Sequence, residues 1–313
     1  MTNISRREFI KTVFAFAAAF YSRKLFAAQK YLLPVSTSAK TAVSKTYKLA
    51  IIKGADPAKT VRRAVDAVGG IKKFVRPGNI VVVKPNMSWD RTPEQAANTN
   101  PAVVSEIVKM CLEAGAKKVK VFDRPCSNAL RAYKNSGVEE AARKAGADVF
   151  HVEDWNYIKA KFKYKSPLED WPVYRDAVEA DCFINVPVLK HHGLTGLTLS
   201  MKNLMGVMGG NRGSVHGNIG IKLAHITDYI SPELTIMDAT RFLSANGPSG
   251  GSLSDVRIYN TIIAGTDPVL VDSHSAMLVG YKSPLEIGYI REAADMGLGF
   301  VSIDAQYILR ETV

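Results

Sequence analysis

The sequence predicts an α/β protein, a single domain built on a mostly parallel sheet with helices on both faces. Three observations predict it. From about Tyr47 onward, short apolar runs alternate with amphipathic segments, and strand–helix–strand alternation implies parallel pairing through right-handed crossovers. One run, Ile80 to Lys84 (IVVVK), is apolar at nearly every position, which in a strand means burial on both faces. Asp-Pro pairs at Asp56-Pro57 and Asp267-Pro268 supply an N-cap and a first-turn proline where helices should open.

The N-terminus comes first and reads as a targeting segment. Ser5-Arg6-Arg7-Glu8-Phe9-Ile10-Lys11 matches the twin-arginine export pattern and leads into a short apolar run, Thr12 to Phe20, too short to span a bilayer comfortably. Residues 1–28 are therefore expected to be a signal peptide, with no stable membrane span unless it stays uncleaved. Residues 29–46, rich in Ser, Thr, Ala and Lys, read as a linker with little to bury. A domain over 47–313 follows. The expected location is periplasmic or extracytoplasmic, reached in the folded state through the twin-arginine export machinery.

Within that domain, strands are expected over 48–53, 80–84, 118–123, 148–152, 181–186, 233–238 and 256–264. Helices are expected over 57–68, 101–114, 138–145, 219–230, 268–279 and from Ser283-Pro284 to about 296. The helix at Pro101 places Val104, Ile107, Val108, Cys111 and Leu112 on one face. Lys159 to Lys165 (KAKFKYK) alternates lysine with Ala, Phe and Tyr and reads as an edge strand whose lysines guard against edge pairing. Pro187 should end the strand before it, leaving the histidines that follow just past a strand end.

Composition narrows the chemistry. The chain has 313 residues, 47% hydrophobic and 22% charged, ordinary values for a globular protein. Its net charge is +12, of which +5 lies in residues 1–30. The remaining +7 favours anionic ligands, and export argues against nucleic acid. Cys111, Cys126 and Cys182 are far apart with no CxxC, so neither a zinc set nor an iron–sulfur ligand set of usual spacing is present. An iron–sulfur cluster is not expected, and a metal ion or an organic cofactor is left open.

The stretch from Lys190 to Gly220 concentrates the candidates. It holds three of the six histidines and eight of the twenty-three glycines, and glycine permits close backbone approach to a ligand. Open α/β sheets bind ligands beyond the carboxyl ends of their strands. The strands above deliver Lys84 with Asn86, Asp123, the Lys190–His192 group and Asp238 to that rim. His191 and His192 are the acid/base candidates; adjacent residues in extended chain point opposite ways, so one of the two should be structural. Lys202 and Asn203 follow on a helix opening near Thr198, where a lysine suits a phosphate or carboxylate. His216 stands as a metal-ligand candidate. No Walker GxxxxGK(S/T) or GxGxxG occurs, so a nucleotide is not specifically indicated. Met201, Met205 and Met208 at i, i+4, i+7 read as a core face.

These residues also carry a resemblance. Val83-Lys84-Pro85-Asn86, the LKHHGLTGLTLSMKNLMGVMGG segment from Leu189 and AGTDPVLVDSHSAMLVG from Ala264 resemble the DUF362 family, from about Tyr47 to the C-terminus. That family is of unknown function; many of its members carry a ferredoxin-like iron–sulfur insert, whose cysteines this chain lacks. A fainter resemblance is to the nickel-pincer lactate racemases, and it implies His192 as acid/base, Lys202 as cofactor anchor and His216 as metal ligand. Where those enzymes have glycines before the lysine, this chain has Leu199, Ser200 and Met201. The residues point to an exported enzyme acting on a small anionic substrate, by histidine acid/base or metal-assisted chemistry. The alternative is a periplasmic protein that binds a ligand or cofactor without turnover.

Overall fold

The structure is a computed structural model that describes residues 46–313. The expected signal peptide and all but the last residue of the expected linker lie outside the described residues.

The chain runs β1 (Leu49–Lys53), α1 (Pro57–Ala67), β2 (Ile80–Pro85), α2 (Pro101–Glu113), β3 (Lys118–Val121), α3 (Ala129–Asn135), α4 (Val138–Lys144) and β4 (Asp148–Val149). It continues through β5 (Tyr157–Lys159), β6 (Pro172–Tyr174), α5 (Arg175–Glu179), β7 (Cys182–Val186), β8 (Val188–His192), β9 (Gly196–Thr198) and α6 (Ser200–Asn203). Then come α7 (Ile219–Ile230), β10 (Leu234–Leu243), β11 (Val256–Gly265), α8 (Pro268–Leu278), α9 (Gly288–Asp295) and β12 (Ile308–Thr312).

The main sheet has the order β12-β1-β11-β10-β7-β2-β3-β4. Strands β10, β7, β2, β3 and β4 are mutually parallel, and β11 runs antiparallel to both of its neighbours. The fold is thus the expected mostly parallel sheet with helices on both faces. Strand β2 shows why: Val81 and Val83 enter the core under α1 and α2, while Val82 enters the core under α7, α8 and α9. Burial of each such side chain stabilises by about 1.5–3 kcal/mol relative to exposure. Asp56 accepts from the amides of Ala58 and Lys59 at the start of α1, and Asp267 accepts from Leu270 at the start of α8, satisfying donors that a helix leaves unpaired.

Several expectations change, three of them near the candidate residues or the lysine-rich stretch. The histidines do not lie past a strand end: β7 stops before Pro187, and the chain resumes as β8, which pairs with β9 antiparallel through Lys190↔Thr198 and His192↔Gly196. Gly196 makes this tight return feasible, with φ +75° and a Cβ position that would fall 2.9 Å from the Tyr281 hydroxyl. Lysine-rich 159–165 is not a strand beyond Lys159; Lys161 is instead paired with Asp170 and Glu169, so charge pairing replaces the expected ladder. Strand β10 extends to Leu243 rather than ending near Asp238, because β8 takes over as its partner where β7 stops.

Candidate functional site

Beyond the carboxyl ends of β2, β3 and β7, a buried polar network forms first. Lys84 is fully buried, with its ammonium 2.8 Å from Asp123 Oδ1 and donating to Asn203 Oδ1 (3.0 Å) and the Pro85 carbonyl (2.8 Å). Asn203 uses both ends of its amide: Oδ1 also accepts from Asn86 Nδ2 (3.1 Å), while Nδ2 donates to Asn185 Oδ1 (2.8 Å) and the Lys84 carbonyl (3.2 Å). Asp123 Oδ2 accepts from the Met87 amide and the Ser88 hydroxyl. Burial pushes the Lys84 pKa down while Asp123 opposes the shift. The Gly206 backbone lies directly on the pair, since a Cβ there would fall 1.8 Å from Asp123 Oδ1 and 2.5 Å from Lys84 Nζ.

Above this floor opens a cleft of about 400 Å³. Asn86, Lys190, His192, Lys202, Asn203 and His216 of the sequence candidates line it. Lys84 and Asp123 do not: they form the floor beneath Gly206, so they are framework rather than direct ligand contacts.

Side-chain alternation along β8 puts Lys190 and His192 on the cleft side and His191 on the other. The Nδ1 of His191 accepts from the Gly247 amide at 3.1 Å. Asp238 is likewise outside the cleft. It sits mid-strand, fully buried, accepting from the Asn100 amide, the Thr240 amide and the Thr240 hydroxyl; burial raises its pKa. Its work is to tie the start of α2 to β10. His216 does not begin a helix; it ends a 3₁₀ turn over Arg212–His216, where its Nδ1–H donates to the Gly213 carbonyl at 3.1 Å. Among the described residues no group of three or more His, Cys, Asp or Glu side chains comes together to hold a metal, at His216 or elsewhere.

The cleft lining is cationic. It includes Lys190, Lys202 and Arg212, and contains no Asp or Glu. Lys190 donates to the Ala97 carbonyl and to Asn86 Oδ1 (3.3 Å), and stands 5.9 Å from the Trp89 ring centroid. Burial lowers its pKa to about 7. Arg212 spends its guanidinium on the carbonyls of Arg124 (2.6 Å) and Pro125 (2.7 Å), which clasps the glycine-rich loop to the loop after β3. Lys202 is 9% exposed, and its ammonium meets only the Met205 thioether, at 3.6 Å. Burial, with the Arg212 charge adding to it, lowers its pKa to about 8.

His192, the acid/base candidate, lines the cleft. Its Nδ1 accepts from the amides of Leu194 (3.2 Å) and Thr195 (3.3 Å), which fixes the neutral tautomer with the proton on Nε2. Burial, reinforced by the Lys202 and Lys190 charges, lowers its pKa to about 3. It is a neutral hydrogen-bond donor. Nearby, the Thr198 hydroxyl is buried on the cleft wall without a hydrogen-bond partner.

Lining residues that were not sequence candidates include Ser88, Trp89, Thr198, Arg212, Pro248 and the exposed free thiol of Cys126. Arg212 alone left a signal, as a cation inside the glycine-rich run GGNRG. Met205 also moves from core to cleft, while Met201 and Met208 are fully buried.

Residues 81–277 match the domain of unknown function DUF362. The chain belongs to the DUF362 family. It is 26% identical over 222 residues to a thylakoid-associated protein of Synechocystis sp., covering 68% of this chain and 67% of that protein. Among solved structures it is similar to the lactate racemase apoprotein of Thermoanaerobacterium thermosaccharolyticum, at 13% identity and a TM-score of 0.46 over 74% of this chain. The match spans 57% of that racemase chain.

Proposed function

We propose that this DUF362 protein binds a small organic anion in the cleft and acts on it as an enzyme, with Lys202 exchanging a proton with the ligand. One observation carries the reading: Lys202 is nine-tenths buried with no carboxylate to answer its charge, in a cleft lined by no acidic residue. Burying an ammonium unpaired costs several kcal/mol, and a carboxylate or phosphate on the ligand offsets that cost. A pKa near 8 lets the amine both hold and release a proton close to neutrality. His192 Nε2–H and the Thr198 hydroxyl then serve as neutral donors to ligand oxygens. The rival reading, a carrier that holds the same anion unchanged, draws on His192, whose fixed tautomer binds without titrating.

Calorimetric titration of the purified chain with oxalate and inorganic phosphate tests the binding. Lys202→Met removes the charge and keeps most of the stem, so affinity should fall about tenfold to a hundredfold, the equivalent of about 1.5–3 kcal/mol. Equal affinity in the variant, or no affinity for either anion in the wild type, would sink the reading.

Export in the folded state belongs to the same proposal and rests on Arg6-Arg7 with the apolar run after them. Replacing both arginines by lysine should strand the protein in the cytoplasm, and undiminished export would count against it. Among the described residues no helix is long and apolar enough to cross a membrane.

A further inference from the structure

Resting on the anion reading above, we infer that Lys202 forms a covalent imine with the carbonyl of a small 2-oxo acid held in the cleft. Three buried lysines surround this constellation, and only one has an amine free to attack. Lys84 is bound to Asp123 and has two further acceptors. Lys190 directs its N–H bonds at the Ala97 carbonyl and Asn86. Lys202 has no oxygen acceptor at all, only the Met205 sulfur. A nucleophilic lysine needs a desolvated setting beside other cations, so that its lone pair is released at accessible pH. Burial and Arg212 provide that setting, and a pKa of about 8 leaves on the order of a tenth of the amine neutral at pH 7.

The remaining donors match the two functions of a 2-oxo acid. Lys190 and Arg212 supply positive charge for the carboxylate. His192 Nε2–H and the Thr198 hydroxyl, the latter buried and without a partner, can polarise the neighbouring ketone oxygen. The neutral amine of Lys202 adds to the carbonyl carbon, forming the C–N bond. The carbonyl oxygen collects two protons, both originally on the amine, and leaves as water; a C=N bond remains. No oxidant or co-reactant is required.

Trapping decides the matter. Full-length protein is incubated with pyruvate and sodium borohydride, and the digested chain is mapped by mass spectrometry. A single reduced adduct on Lys202 is expected. Lys202→Arg keeps a positive charge and lacks the nucleophile, so it should lose the adduct. No adduct above the background on surface lysines, or equal adduct formation in Lys202→Arg, would overturn the imine. Oxalate separates the two failures: oxalate bound with pyruvate untrapped removes the imine and leaves the anion site, whereas neither bound nor trapped removes both.

Discussion

Lys84 and Lys202 are both buried lysines, the first against the Gly206 backbone and the second in the cleft lining, and they differ in what answers their charge. Below Gly206, the ammonium of Lys84 has a carboxylate, an amide oxygen and a backbone carbonyl, and its neighbour Asn203 has every donor and acceptor engaged. On the cleft side, Lys202 has a thioether and Thr198 has nothing. The difference separates architecture from site. The network rigidifies the floor: Asn203 is fully bonded, and Asp123 Oδ1, which has no hydrogen bond, is answered by the Lys84 charge at 2.8 Å. An unsaturated cation beside it is where, on the proposed reading, an anion would offset the buried charge.

The largest effect that could break this comparison lies in stability. Lys84→Met leaves Asp123 buried without its counter-charge and should destabilise the fold by about 3–5 kcal/mol. Lys202→Met removes a buried charge that no carboxylate pairs, so its stability should equal or exceed that of the wild type. Urea denaturation of the two variants side by side measures the contrast. Equal costs would mean that the floor and the cleft wall are not different in kind.

A smaller effect sharpens it through pH. Lys202 has a folded pKa of about 8 against an ordinary 10.5, and Lys190 one of about 7 against 10.5. Between the folded and ordinary values the unfolded chain binds more protons, so stability rises with pH through those windows. Asp272 works in the other direction: burial raises its pKa from 3.8 to about 7, so stability falls as pH rises between those two values. The wild type should therefore gain stability on going from pH 8 to pH 10.5, and Lys202→Met should show a weaker gain. A parallel pH profile in the two proteins would assign the low pKa elsewhere.

Much of the fold was legible because it depends on local pattern. The apolar run of β2 and the Asp-Pro caps of α1 and α8 are signals contained within a few residues. The site was legible where period-2 alternation applied, as with His191 and His192 on opposite sides of β8. Asp238 misled because a strand's length depends on its neighbours: β10 continues because β11 pairs with it as far as Leu243 on one side and β8 replaces β7 on the other, and nothing in ELTIMD announces that. Thr198 and Trp89 were invisible for a similar reason. A threonine hydroxyl becomes informative only when its surroundings fail to bond it, and that is a tertiary property. Asp272 is fully buried on α8, where an unpaired carboxylate would be costly. The structure resolves that cost: its carboxylate accepts from the amides of Ser200 (2.7 Å) and Met201 (3.1 Å), holding the turn that carries Lys202.

The first described strand, β1, lies between β11 and β12, the last two strands of the chain. On a ribosome this has a cost in time. Until residues near 265 have emerged, β1 has no neighbour, and until those near 310 follow, one of its edges stays open. Asp272, which secures the Lys202 turn, also arrives late. The pairing that closes one side of the sheet therefore spans more than two hundred residues, the kind of long-range contact that folds slowly and exposes unpaired edges while it waits. A chain cut short before β11 would carry the glycine-rich segment without the frame that gives it shape.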